Sequence, residues 1–304
     1  MDLSVVVSAR EDDRTRRESL AVASSADRLG YPELWVGEGP TWDAFVLATA
    51  IGLGTRQIAL TAGPVPVSVR DPATIARAAE SVAAVTGRPV GVALGTSSVR
   101  VVEGLHGRSR AGAVTTMAAT ARALAGWRSS PGAGPLTVAA FGDRAIAIAA
   151  EHADRMVLDL VSPDQVRALR AKLAGRAHRF GRKPPRLAAW LPAAIDPGPL
   201  AHTQLLDGIV RYLTVRGYAE MFVAAGFGAA VELARSGAGQ AELRAALPLD
   251  AAGTVGLVGD VAAVEARLRD YADAGLDEIG LVPATDGDPG ADHTLTVLSS
   301  SLSR

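Results

Sequence analysis

Eight short apolar runs, each set between stretches of helical spacing, restrict this chain more than any other feature. The runs are Leu3–Ser8, Glu33–Gly37, Ile58–Ala62, Val90–Leu94, Leu136–Ala140, Arg155–Asp159, Arg186–Leu191 and Glu278–Val282. Most are nearly continuous in Val, Leu, Ile and Ala, as expected of strands buried on both faces. Between them lie helical patterns at Thr15–Leu29 (stopped by Gly30), Thr41–Leu53, Pro72–Val85, Ala111–Leu124, Asp143–His152 and Val261–Ala274 (stopped by Gly275). Asp71-Pro72 and Ser162-Pro163-Asp164 each read as an N-cap followed by proline at the first helical position. Strand–helix alternation implies parallel pairing through right-handed crossovers, and eight such units close as a barrel. An open doubly wound sheet would bring a glycine-rich first turn, and Ala9-Arg10-Glu11-Asp12 contains no glycine. The expectation is an α/β fold, a (β/α)8 TIM barrel forming one domain over residues 1–304. The stretch between strands seven and eight is too long for one crossover. It is entered through Asp196-Pro197-Gly198-Pro199 and predicts extra helices at about 197–250.

Composition narrows the function classes. Apolar residues make up 48% of the chain, enough for a large core, and the net charge of −1 is mixed along the sequence without a basic face. Nucleic acid is therefore not expected as a partner. No apolar run approaches the ~20 residues of a membrane span, and the N-terminus turns acidic where a signal peptide needs its apolar core. A cytoplasmic protein acting on a small molecule is expected. With no cysteine and five scattered histidines (His106, His152, His178, His202, His293), no dedicated metal site is expected.

In a parallel barrel, function collects at the carboxyl ends of the strands. The strand-end segments are Glu38-Gly39-Pro40-Thr41-Trp42, Gly63-Pro64-Val65, Gly95-Thr96-Ser97-Ser98, Ala139-Ala140-Phe141-Gly142 and Asp159. Gly63-Pro64-Val65-Pro66 is read as unable to extend the third strand, because two of its residues have no N–H. Gly95–Ser98 offers backbone N–H groups and hydroxyls with little bulk, suited to a planar ring or a phosphate, or is simply a polar loop. Ala139–Gly142 puts small residues before a helix N-terminus, a usual place for phosphate, unless Asp143 only caps that helix. Glu38 is either a functional carboxylate or a solvated one. Trp42 is either mouth packing or an aromatic wall, and His106 either a proton shuttle or an exposed loop residue. No Gly-x-Ser-x-Gly elbow, Walker lysine or Gly-x-Gly-x-x-Gly turn is present, and Gly226-Phe227-Gly228 reads as a turn or a helix-packing site.

The segments LGYPELWVGE (29–38), TAGPVPVSVRDP (61–72), VGVALGTSS (90–98), GLHGR (104–108), the run 136–158, RGYAEMFVAAGFG (216–228) and the run 257–284 resemble the luciferase-like monooxygenase superfamily. The resemblance is strongest to its deazaflavin (F420)-dependent oxidoreductases. It implies a (β/α)8 barrel holding a deazaflavin or flavin at the carboxyl face, and a homodimer. It also implies a cis or strained bond at Gly63–Pro64 or Ala62–Gly63 behind the ring. Gly63, Pro64, Val65, Gly95, Thr96 and Ser97 would line the ring, and Ala139, Ala140, Phe141, Gly142 and Asp159 the ribityl and phosphate part. Relatives place an acid and a histidine after strand two, matched here by Glu38 and Gly39; a carboxylate after strand four is matched by Ser98. The implied catalytic set is Glu38, Trp42, Ser98 and His106, and sugar-phosphate oxidation is not expected. Asp159 stands where relatives often carry a small polar residue, so either Arg155 or Arg144 offsets its charge or Asp159 turns away and caps a helix. The implied cofactor is F420. Its rivals are FMN in a monooxygenase and a non-catalytic barrel without cofactor.

Overall fold

A computed structural model describes residues 1–8, 16–39 and 42–300. Among them, nine strands form one sheet: β1 (Asp2–Val7), β2 (Glu33–Val36), β3 (Ala59–Pro66), β4 (Val90–Gly95), β5 (Ala133–Ala139), β6 (Arg155–Asp159), β7 (Arg186–Ile195), β8 (Leu257–Gly259) and β9 (Glu278–Pro283). All pairings are parallel. β1 joins β2 on one side and β9 on the other, β7 joins both β6 and β9, and the ring closes over eight staves. β8 is not a stave. The upper end of β7 runs past the barrel, where Ala193–Ile195 pairs with Leu257–Gly259.

The third strand departs from its expected end. β3 continues to Pro66: the ladder with β4 slips between Ala62 and Val65 and resumes at Val65–Leu94 and Pro66–Gly95. Proline lacks a donor but its carbonyl still accepts, and the Val67 N–H reaches Gly95 O at 3.1 Å. β5 likewise departs from its expected run, Leu136–Ala140: it starts three residues earlier, at Ala133. The helix after β2 begins at Ala44, because the Asp43 carboxylate accepts from the Phe45 and Val46 N–H groups. Asp71 and Ser162 cap their helices as expected, Ser162 within a full capping box with Gln165. Asp143 does not cap; it lies in the first turn and pairs with Lys172 at 3.2 Å. The loop after β4 contains a π-helix, Arg100–Leu105, which no periodicity signalled. Ala9–Asp12, Pro40 and Thr41 lie outside the described residues, as does Thr15 at the start of the first expected helix.

Inside the barrel the inward side chains form a polar floor and an apolar upper layer. On the floor, Arg155 Nη1 donates to Glu33 and Glu278, both at 2.7 Å, and its guanidinium lies 3.9 Å from the Trp35 ring centroid. Trp35 Nε1 reaches Glu278 at 2.9 Å and Ser4 Oγ at 3.1 Å. Every charge there has a partner, which offsets the desolvation that burial imposes. Two inward glycines make room: a Cβ on Gly91 would stand 2.2 Å from Thr61 Oγ1, and one on Gly280 2.8 Å from Trp190. Above the floor lie Val6, Trp35, Ala93, Val157, Ala188 and Trp190.

The insertion packs five helices, Pro199–Val210, Tyr218–Ala224, Gly228–Arg235, Gln240–Ala246 and Ala251–Thr254, around Leu205, Ile209, Leu213, Phe222 and Phe227. Leu160, Ala194 and Ala284 join that core from the barrel and seat the insertion on the carboxyl ends of β6, β7 and β9. Gly226, with φ +94°, makes the turn between two of these helices. Outside the barrel, helix Ala44–Gly54 carries no charged residue, and Val46 and Leu53 are 63% and 66% exposed. No helix among the described residues is long and apolar enough to cross a membrane.

Candidate functional site

The carboxyl mouth of the barrel is ringed by small residues. Gly63 takes φ +114° and its bond to Pro64 is cis. A Cβ at Gly63 would stand 2.3 Å from Ala93 O, so only glycine fits. One at Gly95 would stand 2.9 Å from Pro64 Cβ and 3.9 Å from Ala139 Cβ, which places Pro64, Gly95 and Ala139 side by side on adjacent strands. Ala139 and Val282 pack on the inward layer that contains Trp190 and are themselves partly exposed, as is Pro64. The mouth is thus a shallow cup of Gly63, Pro64, Gly95, Ala139 and Val282 above Trp190. Val65 is buried behind it.

Strained backbone gathers at the same end. Ser8, Ser97, Leu160 and Asp196 hold φ of 55°, 54°, 54° and 47°, at or just past the ends of β1, β4, β6 and β7. Non-glycine residues rarely adopt this region, and such outliers cluster at functional sites. The loop after β4 is braced by Arg110, whose Nε donates to Ser97 O at 2.7 Å and Nη2 to Thr96 Oγ1 at 3.1 Å. Ser98 Oγ accepts from the Val101 N–H at 3.2 Å and so starts the π-helix. His106 ends that helix, exposed.

Glu38 is mostly buried, and both of its oxygens are engaged. Oε1 accepts from Arg70 Nε (2.9 Å) and Nη2 (2.7 Å), and Oε2 from the Ala44 N–H (2.7 Å). Burial pushes its carboxyl above the usual range, against the pull of the Ala44 N–H and Arg70. Arg70 also pairs with Asp43 at 2.8 Å. Trp42 is half-buried against the main core. The segment after β2 is therefore fixed by one arginine arriving from the far side of β3.

Asp159, at the end of β6, accepts at Oδ2 from the Tyr218 hydroxyl of the insertion at 2.9 Å. Arg155 belongs to the barrel floor, and Arg144 Nη2 donates to Thr115 Oγ1 at 3.4 Å. The Tyr218 ring stands edge-on to Phe141, centroids 4.9 Å apart, and Tyr212 lies 4.6 Å from it. Ala139, Ala140, Phe141 and Asp159 thus share one side of the mouth, beneath the insertion, and Gly142 is exposed at the N-terminus of the next helix. The structure brings Gly63, Pro64, Gly95 and Ala139 together. It sets Glu38 beside β3 through Arg70, and leaves His106 at the end of its helix.

Sequence reasoning missed Arg70, Arg110, Tyr218 and Trp190. Only Trp190 had a readable signal: strand alternation puts it on the same face as Ala188. The other three are fixed by long-range contacts. Among the described residues no group of three His, Asp or Glu side chains could hold a metal.

The sequence matches the luciferase-like monooxygenase family over residues 1–278. No curated protein sequence matches it significantly. Among solved structures it is similar to the coenzyme F420-dependent tetrahydromethanopterin reductase from Methanopyrus kandleri, at 12% identity over 98% of each chain, with a TM-score of 0.76. It is also similar to an F420-dependent secondary alcohol dehydrogenase bound to an F420–acetone adduct, at 13% identity over 98% of this chain and 97% of that one, TM-score 0.73. A third is the oxygenating constituent of 3,6-diketocamphane monooxygenase from Pseudomonas putida in complex with FMN, at 14% identity over 99% and 97%, TM-score 0.70. At these identities the structural likeness is one of fold, whereas the family model covers most of the sequence. The chain belongs to the luciferase-like monooxygenase family.

Proposed function

We propose that this protein is an F420-dependent oxidoreductase that transfers a hydride between a deazaflavin and a small organic substrate. The observation that carries the reading is the small-residue surface at the mouth, where Gly63 and Gly95 let β3, β4 and β5 approach so closely that Pro64 and Ala139 lie side by side and partly exposed. A flat tricyclic ring fits such a surface, and two F420-dependent enzymes are among the solved structures that share this fold. When bound, the deazaflavin supplies the atom that gives or takes the hydride.

The chain's own residues would bind, orient and exclude water. Gly63, Pro64 and Gly95 would lie along the ring, with Val65 buried behind them, and the Thr96 and Ser97 backbone would meet its polar edge. Ala139, Ala140, Phe141, Gly142 and Asp159 would follow the tail, with the Asp159 charge softened by Tyr218. Glu38 is the proposed proton-handling group. Its Oε2 accepts a single N–H and retains a lone pair for a substrate hydroxyl. Burial raises its proton affinity toward that task. Trp42, Ser98 and His106 would complete the substrate side. A homodimer is part of this reading.

The FMN-dependent monooxygenase is the second reading, supported by the FMN-bound neighbour on the same fold. Equilibrium titration of the purified protein with each cofactor separates the two. Micromolar binding of F420 with weaker FMN is expected, and FMN binding without F420 binding reverses the order. Binding of neither supports a non-catalytic barrel.

A further inference from the structure

We infer that Trp190 is a ligand-binding residue, its indole N–H donating to an acceptor atom of the molecule that enters the mouth. This rests on the proposed ring site but assigns a contact to a residue that neither strand-end position nor motif singled out.

The argument starts from an orphan. Trp190 Nε1 is buried and has no hydrogen-bond partner among the described residues, a state it shares with Trp127 Nε1. A buried donor left unpaired is costly, and native interiors rarely keep one without a use for it. Trp35, the other inward tryptophan, shows the alternative: its N–H is satisfied twice, by Glu278 and by Ser4. The two indoles meet edge to face with centroids 5.6 Å apart, so the lower one is locked by polar contacts and the upper one is locked by the lower. An apolar side chain at position 190 could fill the same space with no orphaned donor.

Its place in the barrel points to a ligand. Trp190 pairs in register with Asp159, the last residue of β6, and with Gly280 of β9. The five-membered edge of the indole faces Gly280, where a Cβ would stand 2.8 Å from Cδ1 and 3.3 Å from Nε1. The next inward residue of β9 is Val282, partly exposed at the mouth. Trp190 itself is 5% exposed, whereas Trp35 is 0% exposed. It is therefore the large inward side chain at the base of the cup, with its donor edge on the β9 side. The space against Gly280 itself is closed even to a methyl group, so the acceptor would be a carbonyl or ring nitrogen reaching the indole edge from the mouth, past Val282.

The test uses full-length protein with the indole nitrogens labelled by 15N. Each of the four tryptophans is assigned from its Trp→Phe variant, and F420 and FMN are the probes. The Trp190 N–H resonance is expected to move downfield at saturation, and Trp190→Phe is expected to weaken binding about 5–10-fold, the worth of one hydrogen bond. Unchanged circular dichroism keeps that loss from being a folding defect. Trp190→His, whose ring can donate again, is expected to recover part of the affinity. If a ring binds while the Trp190 resonance stays put, or if Trp190→Phe binds as tightly as wild type, the inference is overturned and the ring site stands. A resonance already at a hydrogen-bonded position before ligand, and unmoved by it, assigns the N–H to an internal water and overturns it equally. Failure of both probes to bind wild-type protein overturns the ring site and this contact together.

Discussion

Replacing Gly95 by alanine adds one methyl group to the cup, and its consequence can be worked out from the surrounding atoms. The new Cβ would stand 2.9 Å from Pro64 Cβ, against an ordinary carbon contact of about 3.5–4.0 Å. Relieving that overlap moves Pro64, at a typical overpacking cost of about 1–3 kcal/mol. Alanine returns about 0.4–1 kcal/mol by restricting the unfolded chain, since Gly95 is not among the residues with positive φ. The net is a loss of about 1–2 kcal/mol, or a fall in Tm of roughly 2–4 °C at about 2 °C per kcal/mol. The methyl group also narrows the gap between Pro64 and Ala139, and ring affinity is expected to fall at least about tenfold, or 1.4 kcal/mol. Gly175→Ala is the internal contrast. It lies exposed within helix Pro163–Arg179 with nothing within 4 Å of its Cβ, so it is expected to gain about 0.5–1 kcal/mol and leave binding unchanged. Scanning calorimetry gives the stabilities and fluorescence titration the affinities. A Gly95→Ala protein that binds F420 and FMN as wild type does would refute the claim that the cup receives the ring.

Three further outcomes follow from other parts of the fold. Arg155→Met removes the cation between Glu33 and Glu278 inside the barrel and is expected to cost about 3–5 kcal/mol in denaturant unfolding, because it strands buried carboxylates; a cost under about 1 kcal/mol would show that the floor relaxes or fills with water. Asp27 is 6% exposed: burial pushes its carboxyl up, but the Gln57, Arg56 and Ile58 N–H groups, with the Arg56 charge, outweigh that and hold it below the usual range. Its folded pKa is thus depressed, so its contribution is fully present above about pH 4 and is lost as pH falls through the folded value. Asp27→Asn is expected to lose about 1.5–3 kcal/mol at pH 7 and to converge on wild type at lower pH; a gap that persists to pH 2 contradicts this. The uncharged outer face of helix Ala44–Gly54, with Val46 and Leu53 exposed, is expected to join two copies, so light scattering should give twice 31.2 kDa, and Leu53→Lys should give the monomer. A wild-type monomer at micromolar concentration would remove that face as an interface.

The barrel was legible because its strands announce themselves on both faces. Val90–Leu94 and Arg155–Asp159 read as strands without knowing their neighbours, and the order of units dictated the ring. Strand ends were less legible where proline intervenes. Gly63-Pro64-Val65-Pro66 reads as a break, yet β3 resumes after its slip because pairing needs carbonyls as well as N–H groups. The polar partners were not legible. Arg155 and Asp159 are close in sequence, but four residues at about 3.3 Å each put them some 13 Å apart along one strand, at opposite ends of the barrel. Glu38 was found from its place after strand two. Arg70 was not, because a helix, a strand and a turn intervene before it folds back. Tyr218 reaches Asp159 across 59 residues of chain, and no local pattern encodes such a contact.

The central claim, that the cup of Gly63, Pro64, Gly95 and Ala139 is where the redox ring lies, is most directly tested by a crystal structure of the protein soaked with F420. The expected result is ring density over those four residues, with the polar tail running toward Phe141 and Asp159. Full occupancy of the ring at any other place on the protein, with the cup filled by solvent, would contradict the account.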